Sequence, residues 1–425
     1  MKIAVIGTGI AGNVAAWHLQ KNHDITVFEA GHYVGGHTNT IDVESAEGVI
    51  PVDTGFIVFN DRTYPNFIRL LDEIGVASKD SDMSFSVRGN RPSIEYNGSD
   101  LNGLFAQRRN LLRPSFHRMI RDILRFNREA PGVLEAGDLA VSLGQYLREN
   151  EYSPEFVHHY LVPMGAAIWS AEPDMLDQMP AQFFIRFFKN HGLLSIDDRP
   201  QWRVIEGGSR EYVKKLVAGF RDRIRLQCPV QAVTRLPEGV MVRTERFGLE
   251  RFDALFIACH SNQALAMLTD PSREEREVLG AIPYQMNTAV LHTDVSLMPR
   301  RPRAWASWNY HLPVDDNERV TLTYHMNRLQ GLSARQEYFV TLNSDELVRE
   351  ESVIQRVEYE HPVFNAKSVG AQARKAEIDG ANRTYYCGAY WRYGFHEDGV
   401  VSALSALDKF AESQGYAEQH LQRAS

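Results

Sequence analysis

The first residues of this chain that could do chemistry are three glycines near its start. Gly7, Gly9 and Gly12 follow Lys2–Ile6, a short apolar run typical of a buried parallel strand, and a helical pattern comes next. The first glycine allows a tight turn, the second lets the backbone approach a pyrophosphate, and the third lets the helix pack closely on the strand. Because a helix N-terminus offers free N–H groups and a partial positive charge, the segment predicts a phosphate-binding turn.

An acidic residue stands where a dinucleotide site needs one. Glu29 follows the apolar run Asp24–Phe28, which predicts a second strand. It lies roughly twenty residues beyond Gly7, as a dinucleotide-binding βαβ unit requires. Its carboxylate would accept hydrogen bonds from ribose hydroxyls, and its charge would repel a 2′-phosphate. Strand, glycine turn, helix, strand and acid together predict such a unit.

The residues that follow Glu29 resemble a known group of flavoenzymes. The pair Gly35–Gly36, followed by the basic residue His37, resembles the fingerprint of the FAD enzymes of the amine oxidase and carotenoid-desaturase superfamily. In that superfamily the twin glycines let the chain run close to the pyrophosphate and ribityl chain, and the basic residue is usually Arg. His37 could still donate a hydrogen bond, although near pH 7 it would carry a charge only part of the time. The resemblance implies FAD. No His or Cys is evidently placed for covalent attachment, which predicts non-covalent binding, with attachment at Cys387 as the alternative.

Three later segments carry the same resemblance. Ile50–Phe56 resembles the return strand beside the flavin, the Pro–Val step at Val230 resembles the adenine contact, and Thr384–Ala389 resembles the last cofactor strand. The helix expected after Gly399 would point its N-terminus at the flavin. Most members have an acid where this chain has Ala389. The cofactor-binding residues implied in this way are Gly7, Gly9, Ile10, Ala11, Gly12, Glu29, Ala30, Gly35, Gly36, His37, Thr38, Gly55, Phe56, Val230, Gly388, Ala389, Asp398, Gly399 and Val400.

These segments predict a divided fold of the α/β class. Residues 1–62, 200–272 and 380–425 would assemble a Rossmann-like FAD-binding domain of the GR2, or amine-oxidase-like, type. Residues 63–199 and 273–379 would form an α+β substrate-binding domain, because the first is largely helical in pattern and the second alternates like strands. A chain of 425 residues is long enough for two such domains.

A narrower resemblance concerns the substrate. Trp305–Tyr310, His361–Phe364 and Gly388–Gly399 resemble bacterial FAD proteins and the N-terminal oxidase-like half of plant cyclopropane fatty acid synthases. It implies hydride transfer to flavin N5 from a long apolar substrate such as a phospholipid acyl chain, in a desaturation or oxidation. Three alternatives stay open: a flavin amine oxidase, a redox-neutral fatty-acid double-bond isomerase, and a non-catalytic FAD protein that serves a lipid methyltransferase partner.

Candidate catalytic residues lie in the last of these segments. His396 and Glu397 are expected beside the isoalloxazine ring, where a histidine near its ordinary pKa can act as acid or base, and Tyr393 is a candidate for the substrate-side wall. His396 could equally be a turn residue bonded to backbone. Amine oxidases of the superfamily usually carry a lysine on the strand corresponding to Asn287–His292, which has none, so amine oxidation ranks second. No histidine or cysteine spacing predicts a metal site.

Charge and hydropathy bound the remaining possibilities. A net charge of −8 and a pI near 6.0 argue against a nucleic-acid-binding protein. No apolar stretch is long enough for a spanning helix or an export signal, which predicts a cytoplasmic protein. Residues 104–128 differ, because seven arginines alternate there with apolar residues and one acid. That segment predicts peripheral contact with the anionic inner face of the membrane, or else a solvated helix face. The aromatic cluster Phe183–Phe188 also has two interpretations, because it could line an acyl tunnel or belong to a helical core.

Overall fold

The computed structural model describes residues 1–90, 93–136, 140–195, 197–312 and 321–415. Numbered along the chain, the strands are β1 (Lys2–Ile6), β2 (Asp24–Phe28), β3 (Thr40–Ser45), β4 (Gly48–Asp53), β5 (Val58–Asn60), β6 (Ser78–Asp80), β7 (Phe85–Asn90), β8 (Ser93–Asn97), β9 (Trp202–Ile205), β10 (Ile224–Arg225), β11 (Val230–Leu236), β12 (Gly239–Thr244), β13 (Gly248–Phe252), β14 (Ala254–Ile257), β15 (Tyr284–His292), β16 (Trp308–His311), β17 (Thr321–His325), β18 (Phe339–Leu342), β19 (Val353–Pro362) and β20 (Thr384–Tyr386). The helices are α1 (Ile10–Leu19), α2 (Pro65–Glu73), α3 (Leu101–Leu104), α4 (Pro114–Glu129), α5 (Val133–Ala136), α6 (Leu143–Glu149), α7 (Pro154–Phe156), α8 (Val162–Trp169), α9 (Pro173–Gln178), α10 (Ala181–Asn190), α11 (Arg210–Leu216), α12 (Ser261–Met267), α13 (Arg273–Leu279), α14 (Met326–Leu329), α15 (Ala366–Ala373), α16 (Lys375–Ile378) and α17 (His396–Ser413).

A parallel sheet of order β10-β2-β1-β14-β20 forms the centre of the nucleotide-binding part. Its strands read as continuous apolar runs because both faces are covered. On one face Ile3, Val5 and Phe256 pack with α1, α11 and α17. On the other face Ile6 and Leu255 pack against the antiparallel strands β11, β12 and β13. This arrangement confirms the Rossmann-like fold predicted from the sequence.

The second large sheet has the order β19-β15-β18-β17-β16-β7-β8. Neighbouring strands in it are antiparallel except for β7 and β16, which pair parallel from Trp308–Phe85 to His311–Arg88. One face of the sheet shares an apolar core with α4, α6, α8 and α10. All of its strands come from 63–199 and 273–379, so sheet and helices together form the α+β layer predicted for those segments.

Four described helices of the predicted substrate-binding segments, α2, α13, α15 and α16, pack on the nucleotide-binding part. The sequence places all four in the substrate domain. In the structure Phe67 and Leu71 of α2 pack in the core that contains α1 and α17, and Val278 and Leu279 of α13 pack beside β11 and β12. The helices α15 and α16 pack in turn on α13. The predicted boundaries at 63, 273 and 380 therefore do not match the packing, because these helices bury apolar side chains against the nucleotide-binding part.

The last helix starts earlier than the sequence suggests. A helix was expected after Gly399, but α17 begins at His396. Asp398 explains the difference, because its Oδ2 accepts hydrogen bonds from Tyr393 N (3.2 Å) and Phe395 N (2.9 Å) and so fixes the chain that enters the helix. The predicted catalytic pair consequently lies in the first helical turn. No helix among the described residues is long and apolar enough to cross a membrane.

Candidate cofactor and substrate cavity

One large cavity, of about 1010 Å³, reaches from the glycine turn after β1 to the aromatic core of the substrate part. Its nucleotide end includes Gly7, Glu29 and Val230, at the carboxyl ends of β1 and β2 and the start of β11. Its opposite end includes Trp169 and Tyr324. Carboxyl ends of parallel strands are where open α/β sheets bind nucleotides, so the cavity offers space for a cofactor and a substrate side by side.

The glycine turn fits a pyrophosphate. At Gly9 a β-carbon would have no atom within 4 Å, so the backbone there is open to a ligand. At Gly12 a β-carbon would lie 2.0 Å from Gly7 O, which shows that this glycine serves the packing of α1 on β1. Gly7 has φ +100°, a value that favours glycine in the turn. The turn at Gly7 and the close packing at Gly12 match the sequence-based expectation, and pyrophosphate contact at Gly9 stays a prediction.

Glu29 is held in place at the end of β2. Its carboxylate accepts hydrogen bonds from Thr8 N (2.9 Å), from the Thr8 hydroxyl and from Gly31 N (2.7 Å). Four lone-pair sites on an ionised carboxylate leave capacity for ribose hydroxyls. Sequence reasoning identified Glu29 and missed Thr8, which has no motif of its own.

The twin glycines form a second turn above the first. Gly35 has φ +141° and Gly36 has φ +60°, and a β-carbon at Gly36 would lie 3.1 Å from the Cα atom of Gly9. Any larger side chain would separate the two turns. Both glycines line the cavity, so the two turns together form a cradle for the pyrophosphate of a dinucleotide.

His37 is partly buried, and its imidazole is neutral near pH 7. Desolvation by burial, followed by the neighbouring histidines His361 and His260, holds its pKa well below the ordinary value. The expectation that it carries a charge part of the time near pH 7 is therefore wrong. Its ring stacks on Tyr359 at 5.0 Å, and its Nε2 is a buried atom with no partner among the described residues. A cofactor in this cavity could supply that partner.

A cluster around His37 was not predicted from the sequence. His361 Nδ1 lies 2.7 Å from Asn287 Nδ2, and His260 Nδ1 lies 3.1 Å from Glu360 Oε2. His260, Glu360 and His361 line the cavity, and burial lowers the pKa of His361 to about 4. No group of three or more histidines, cysteines or acids in the described parts of the chain could hold a metal ion. The cluster is therefore a set of neutral hydrogen-bonding rings next to a carboxylate.

His396 lies in the cavity wall. Its Nε2 is 3.0 Å from Thr38 Oγ1 and 3.1 Å from Tyr212 OH, and its ring stacks on Phe56 with centroids 3.4 Å apart. Burial lowers its pKa to about 3, so the premise of a histidine near its ordinary pKa is wrong. A neutral His396 can share hydrogen bonds and support Phe56, but it holds no positive charge near pH 7.

Glu397 points away from the cavity lining. Its carboxylate accepts hydrogen bonds from Asn66 N (3.2 Å), Asn66 Nδ2 (2.7 Å) and Phe67 N (2.9 Å), the first backbone donors of α2. These contacts cap one helix with the side chain of another. We therefore assign Glu397 to the joining of α2 and α17, in place of the predicted proton transfer.

Four predicted cofactor residues support the cavity from behind. Thr38 bonds to Tyr212 and His396, Asp398 fixes the start of α17, and Val400 is buried in the core. At Gly399 a β-carbon would lie 2.6 Å from Ile10 Cγ2, so this glycine lets α17 approach α1. With Gly12 and Glu397, these are the predicted site residues that do not line the cavity. Those that do line it are Gly7, Gly9, Ile10, Ala11, Glu29, Ala30, Gly35, Gly36, His37, Gly55, Phe56, Val230, Gly388, Ala389, Tyr393 and His396.

The substrate end of the cavity is aromatic. Tyr393 lines it as predicted and packs on Phe183 with ring centroids 4.7 Å apart. Within Phe183–Phe188 only Phe187 is among the lining residues described, and the other phenylalanine rings belong to the core. Tyr160 reaches the cavity from a π-helical turn, Val157–Leu161, which no sequence pattern predicted.

Formal charges are scarce on the cavity wall. Among its described lining residues, only Glu29, Glu360 and Arg199 carry side chains that are ordinarily charged at pH 7, and no lysine is present. Glu29 and Glu360 hydrogen-bond at the nucleotide side, to Thr8 and to His260. Arg199 is exposed, and its Nε donates to Ser195 O at 3.1 Å. Away from the nucleotide side, the described lining is thus apolar or neutral and polar, with Arg199 as its one ordinarily charged side chain.

Three solved structures that share the fold are distant from this chain in sequence. A CLA-producing fatty acid isomerase from P. acnes matches with a TM-score of 0.70 and 14% identity, over 97% of this chain and 98% of that one. Cyclohexylamine oxidase from Brevibacterium oxydans IH-35A matches with a TM-score of 0.69 and 16% identity, over 97% and 99%. Wild-type putrescine oxidase bound to putrescine matches with a TM-score of 0.68 and 16% identity, over 97% and 99%. At these identities the likeness concerns the fold.

Comparison of the sequence with protein-family models identifies the family of this chain as well as its fold. No curated protein matches the sequence significantly. The family model for flavin-containing amine oxidoreductases matches residues 10–309, a stretch that includes the twin glycines, Val230 and much of the aromatic wall. A bound flavin fits the cradle formed by the two glycine turns. It would also offer partners to three buried polar atoms on the cavity wall that have none among the described residues: His37 Nε2, Trp308 Nε1 and Tyr390 OH. This chain belongs to the flavin-containing amine oxidoreductase family and is an FAD-dependent oxidoreductase.

Proposed function

We propose that this FAD-dependent oxidoreductase oxidises a long acyl chain that carries an anionic end group. The observation that carries the proposal is the charge distribution of the cavity. Away from the nucleotide side its lining is rich in apolar and aromatic side chains with a few neutral polar groups, and the one cation among the described lining residues is Arg199. An acyl chain fits such walls, and a carboxylate or phosphate at its end fits a guanidinium group.

An amine is a poorer match for the same walls. Amines are protonated near pH 7, and a buried ammonium ion needs a carboxylate or an aromatic cage to offset its desolvation. The two cavity carboxylates, Glu29 and Glu360, are at the nucleotide side. Tyr390 and Tyr393 line the cavity, but Trp391, which lies between them in the chain, packs in the core behind β14 and so cannot complete an aromatic cage.

The residues of this chain would hold the substrate and exclude water. Bound FAD supplies a hydride acceptor for a C–H bond, and an external two-electron acceptor would restore it between turnovers. Phe187, Tyr324 and Phe364 would pack on the chain, while Arg199 would fix its end and so determine which carbon reaches the reaction site. Neutral His396 would keep Phe56 stacked beside the cofactor.

The test is anaerobic absorbance of the FAD-loaded protein. Oleate and a phospholipid with unsaturated chains should bleach the oxidised-flavin band, whereas putrescine and cyclohexylamine should leave it unchanged. In Arg199→Gln the KM for oleate should rise about ten- to a hundred-fold with little change in kcat, since a charged hydrogen bond is worth about 1.5–3 kcal/mol. Arg62→Gln, which removes the exposed pair with Asp198 next in the chain to Arg199, is the matched control.

Other outcomes would overturn the proposal. Bleaching by an amine and by no acyl chain would assign amine oxidation. A double-bond shift in the fatty acid without net consumption of electrons would assign isomerisation. Equal KM values in the wild type and Arg199→Gln would remove Arg199 from substrate binding. The narrower resemblance to cyclopropane fatty acid synthases and the methyltransferase partner stay predictions.

A further inference from the structure

We propose that a basic surface, formed by residues 101–128 and 300–303, docks on an anionic phospholipid bilayer, and that the acyl chain enters the cavity from there. The docking rests on that surface alone, whereas the entry route rests on the function proposed above. Charge, exposed leucines and the position of the cavity support the proposal independently of each other.

The surface carries arginines without acidic partners. Seven arginines lie on the turn Arg108–Leu112, on α4, and at Arg113, which joins the two. Arg118, Arg125 and Arg128 have carboxylates within 4 Å. No ion pair among the described residues involves the other four, Arg108, Arg109, Arg113 and Arg121. The alternative of a solvated helix face with paired arginines therefore applies to only part of the set.

A second group of arginines joins this surface through the fold. The 3₁₀ turn Pro302–Ala304 packs against α3 and β8, and Arg300 and Arg303 are exposed there. Arg108 Nη2 donates to Asn102 Oδ1 at 3.0 Å, which places the turn before α4 beside α3 as well. Two segments almost two hundred residues apart thus contribute positive charge to one face of a protein whose net charge is −8.

Leucines project from the same face. Leu112 is 88% exposed and Leu101 is 75% exposed, the two highest values among the exposed large hydrophobic residues described. Leu111 and Leu124 are also exposed. Arginines interleaved with projecting leucines are the composition of an interfacial segment, where the leucines enter the acyl boundary and the arginines bind phosphates. An acidic protein partner would satisfy the charges but would not explain leucines exposed to this degree.

The cavity ends beside this surface. Gly98 and Ser99 line it, and Ser99 lies two residues before Leu101. Tyr96 OH donates to His159 O at 2.7 Å, which brings the end of β8 next to Tyr160, another lining residue. Tyr160 and Arg199 both line the cavity; burial raises the pKa of the Tyr160 hydroxyl, and the positive charge of Arg199 acts on it in the opposite direction. The cation proposed to hold the end group is therefore at the same end of the cavity as the leucines.

The test is sedimentation of the FAD-loaded protein with vesicles. Vesicles of phosphatidylcholine with phosphatidylglycerol should bind it, vesicles of phosphatidylcholine alone should not, and added salt should weaken the binding. Replacing Arg108, Arg121, Arg300 and Arg303 by Gln should reduce binding by at least about a hundred-fold, since each arginine near an anionic surface contributes about a five-fold factor. The matched control replaces four exposed, unpaired arginines of the nucleotide-binding part, Arg221, Arg243, Arg246 and Arg276.

A second pair of variants tests the leucines without risk to folding. Leu112→Gln should weaken vesicle binding, and Leu249→Gln, at another exposed position, should leave it unchanged. Absence of binding to anionic vesicles, or equal loss in the basic-surface variant and its control, would overturn the docking. Reduction of FAD by dispersed oleate should be equal in the basic-surface variant and the wild type. Vesicle binding without any reduction by acyl chains would leave the docking standing and refute the proposed function and the entry route.

Discussion

Replacing Glu397 separates a structural role from a catalytic one. The carboxylate is buried and accepts hydrogen bonds from Asn66 N, Asn66 Nδ2 and Phe67 N. In Glu397→Ala the two backbone donors at the start of α2 lose their acceptor in a place shielded from water. A buried donor left unpaired costs about 1–3 kcal/mol, so the free energy of unfolding should fall by about 2–5 kcal/mol. Glu397→Gln keeps one oxygen and should lose about 1–2 kcal/mol.

Two measurements on the same FAD-loaded samples test this account. The midpoint of urea unfolding should fall in both variants, while the rate of anaerobic FAD reduction by oleate, per FAD-loaded molecule, should stay the same. Glu73→Gln is the control, because this exposed residue of α2 forms only a long ion pair, with 3.8 Å between Arg69 Nε and Glu73 Oε1. The variant should change the free energy of unfolding by less than about 0.5 kcal/mol. An unchanged midpoint with a reduction rate about a hundred-fold lower in Glu397→Gln would refute the reasoning and restore the proton-transfer role.

Three further predictions concern the two glycines of the first turn, His37 and the buried carboxyl group of Asp53 at the end of β4. Gly9→Ala should weaken FAD binding at least about ten-fold in a fluorescence titration without changing the stability of the apoprotein. Gly12→Ala should destabilise the apoprotein by about 3 kcal/mol or more, because its β-carbon would lie 2.0 Å from Gly7 O. The reverse pattern would contradict the roles assigned to the two glycines. His37 is neutral, so any change in FAD affinity between pH 6 and pH 8 should be the same in His37→Gln as in the wild type, and a pH dependence that vanishes in the variant would show that His37 titrates. Burial raises the pKa of the Asp53 carboxyl to about 6 from an ordinary value of 3.8. The free energy of unfolding of the wild type, relative to that of Asp53→Asn, should therefore be largest below about pH 4 and should decline by about 2–4 kcal/mol as the pH rises through 6. Unfolding measured from pH 4 to 7 with the opposite slope would contradict the shift.

The nucleotide-binding part was predictable because its signals are local. β1, β2, β14 and β20 are buried on both faces, so each reads as an apolar run whatever its neighbours are. The glycines at 7, 9 and 12 report their backbone requirements directly in their type and spacing. Here the expected order of strand, glycine turn, helix and strand matches the structure.

The rest of the site depends on contacts between distant segments. Asn287 pairs with Tyr359 in the β15–β19 ladder, and this register brings His361 to His37, which no local pattern reveals. The roles of Glu397 and Asp398 were misassigned because an acid at a helix start looks the same whether it faces a ligand or caps a neighbouring helix. The π-helical turn that carries Tyr160 is likewise set by packing.

The central claim is that a C–H bond of an acyl chain lies against the cofactor within this cavity. Single-turnover reduction of bound FAD by oleate and by chain-deuterated oleate, followed anaerobically at the oxidised-flavin band, tests it most directly. The account predicts that both fatty acids bleach the band and that the deuterated chain does so more slowly. Absence of bleaching, or equal rates for the two chains, would contradict it.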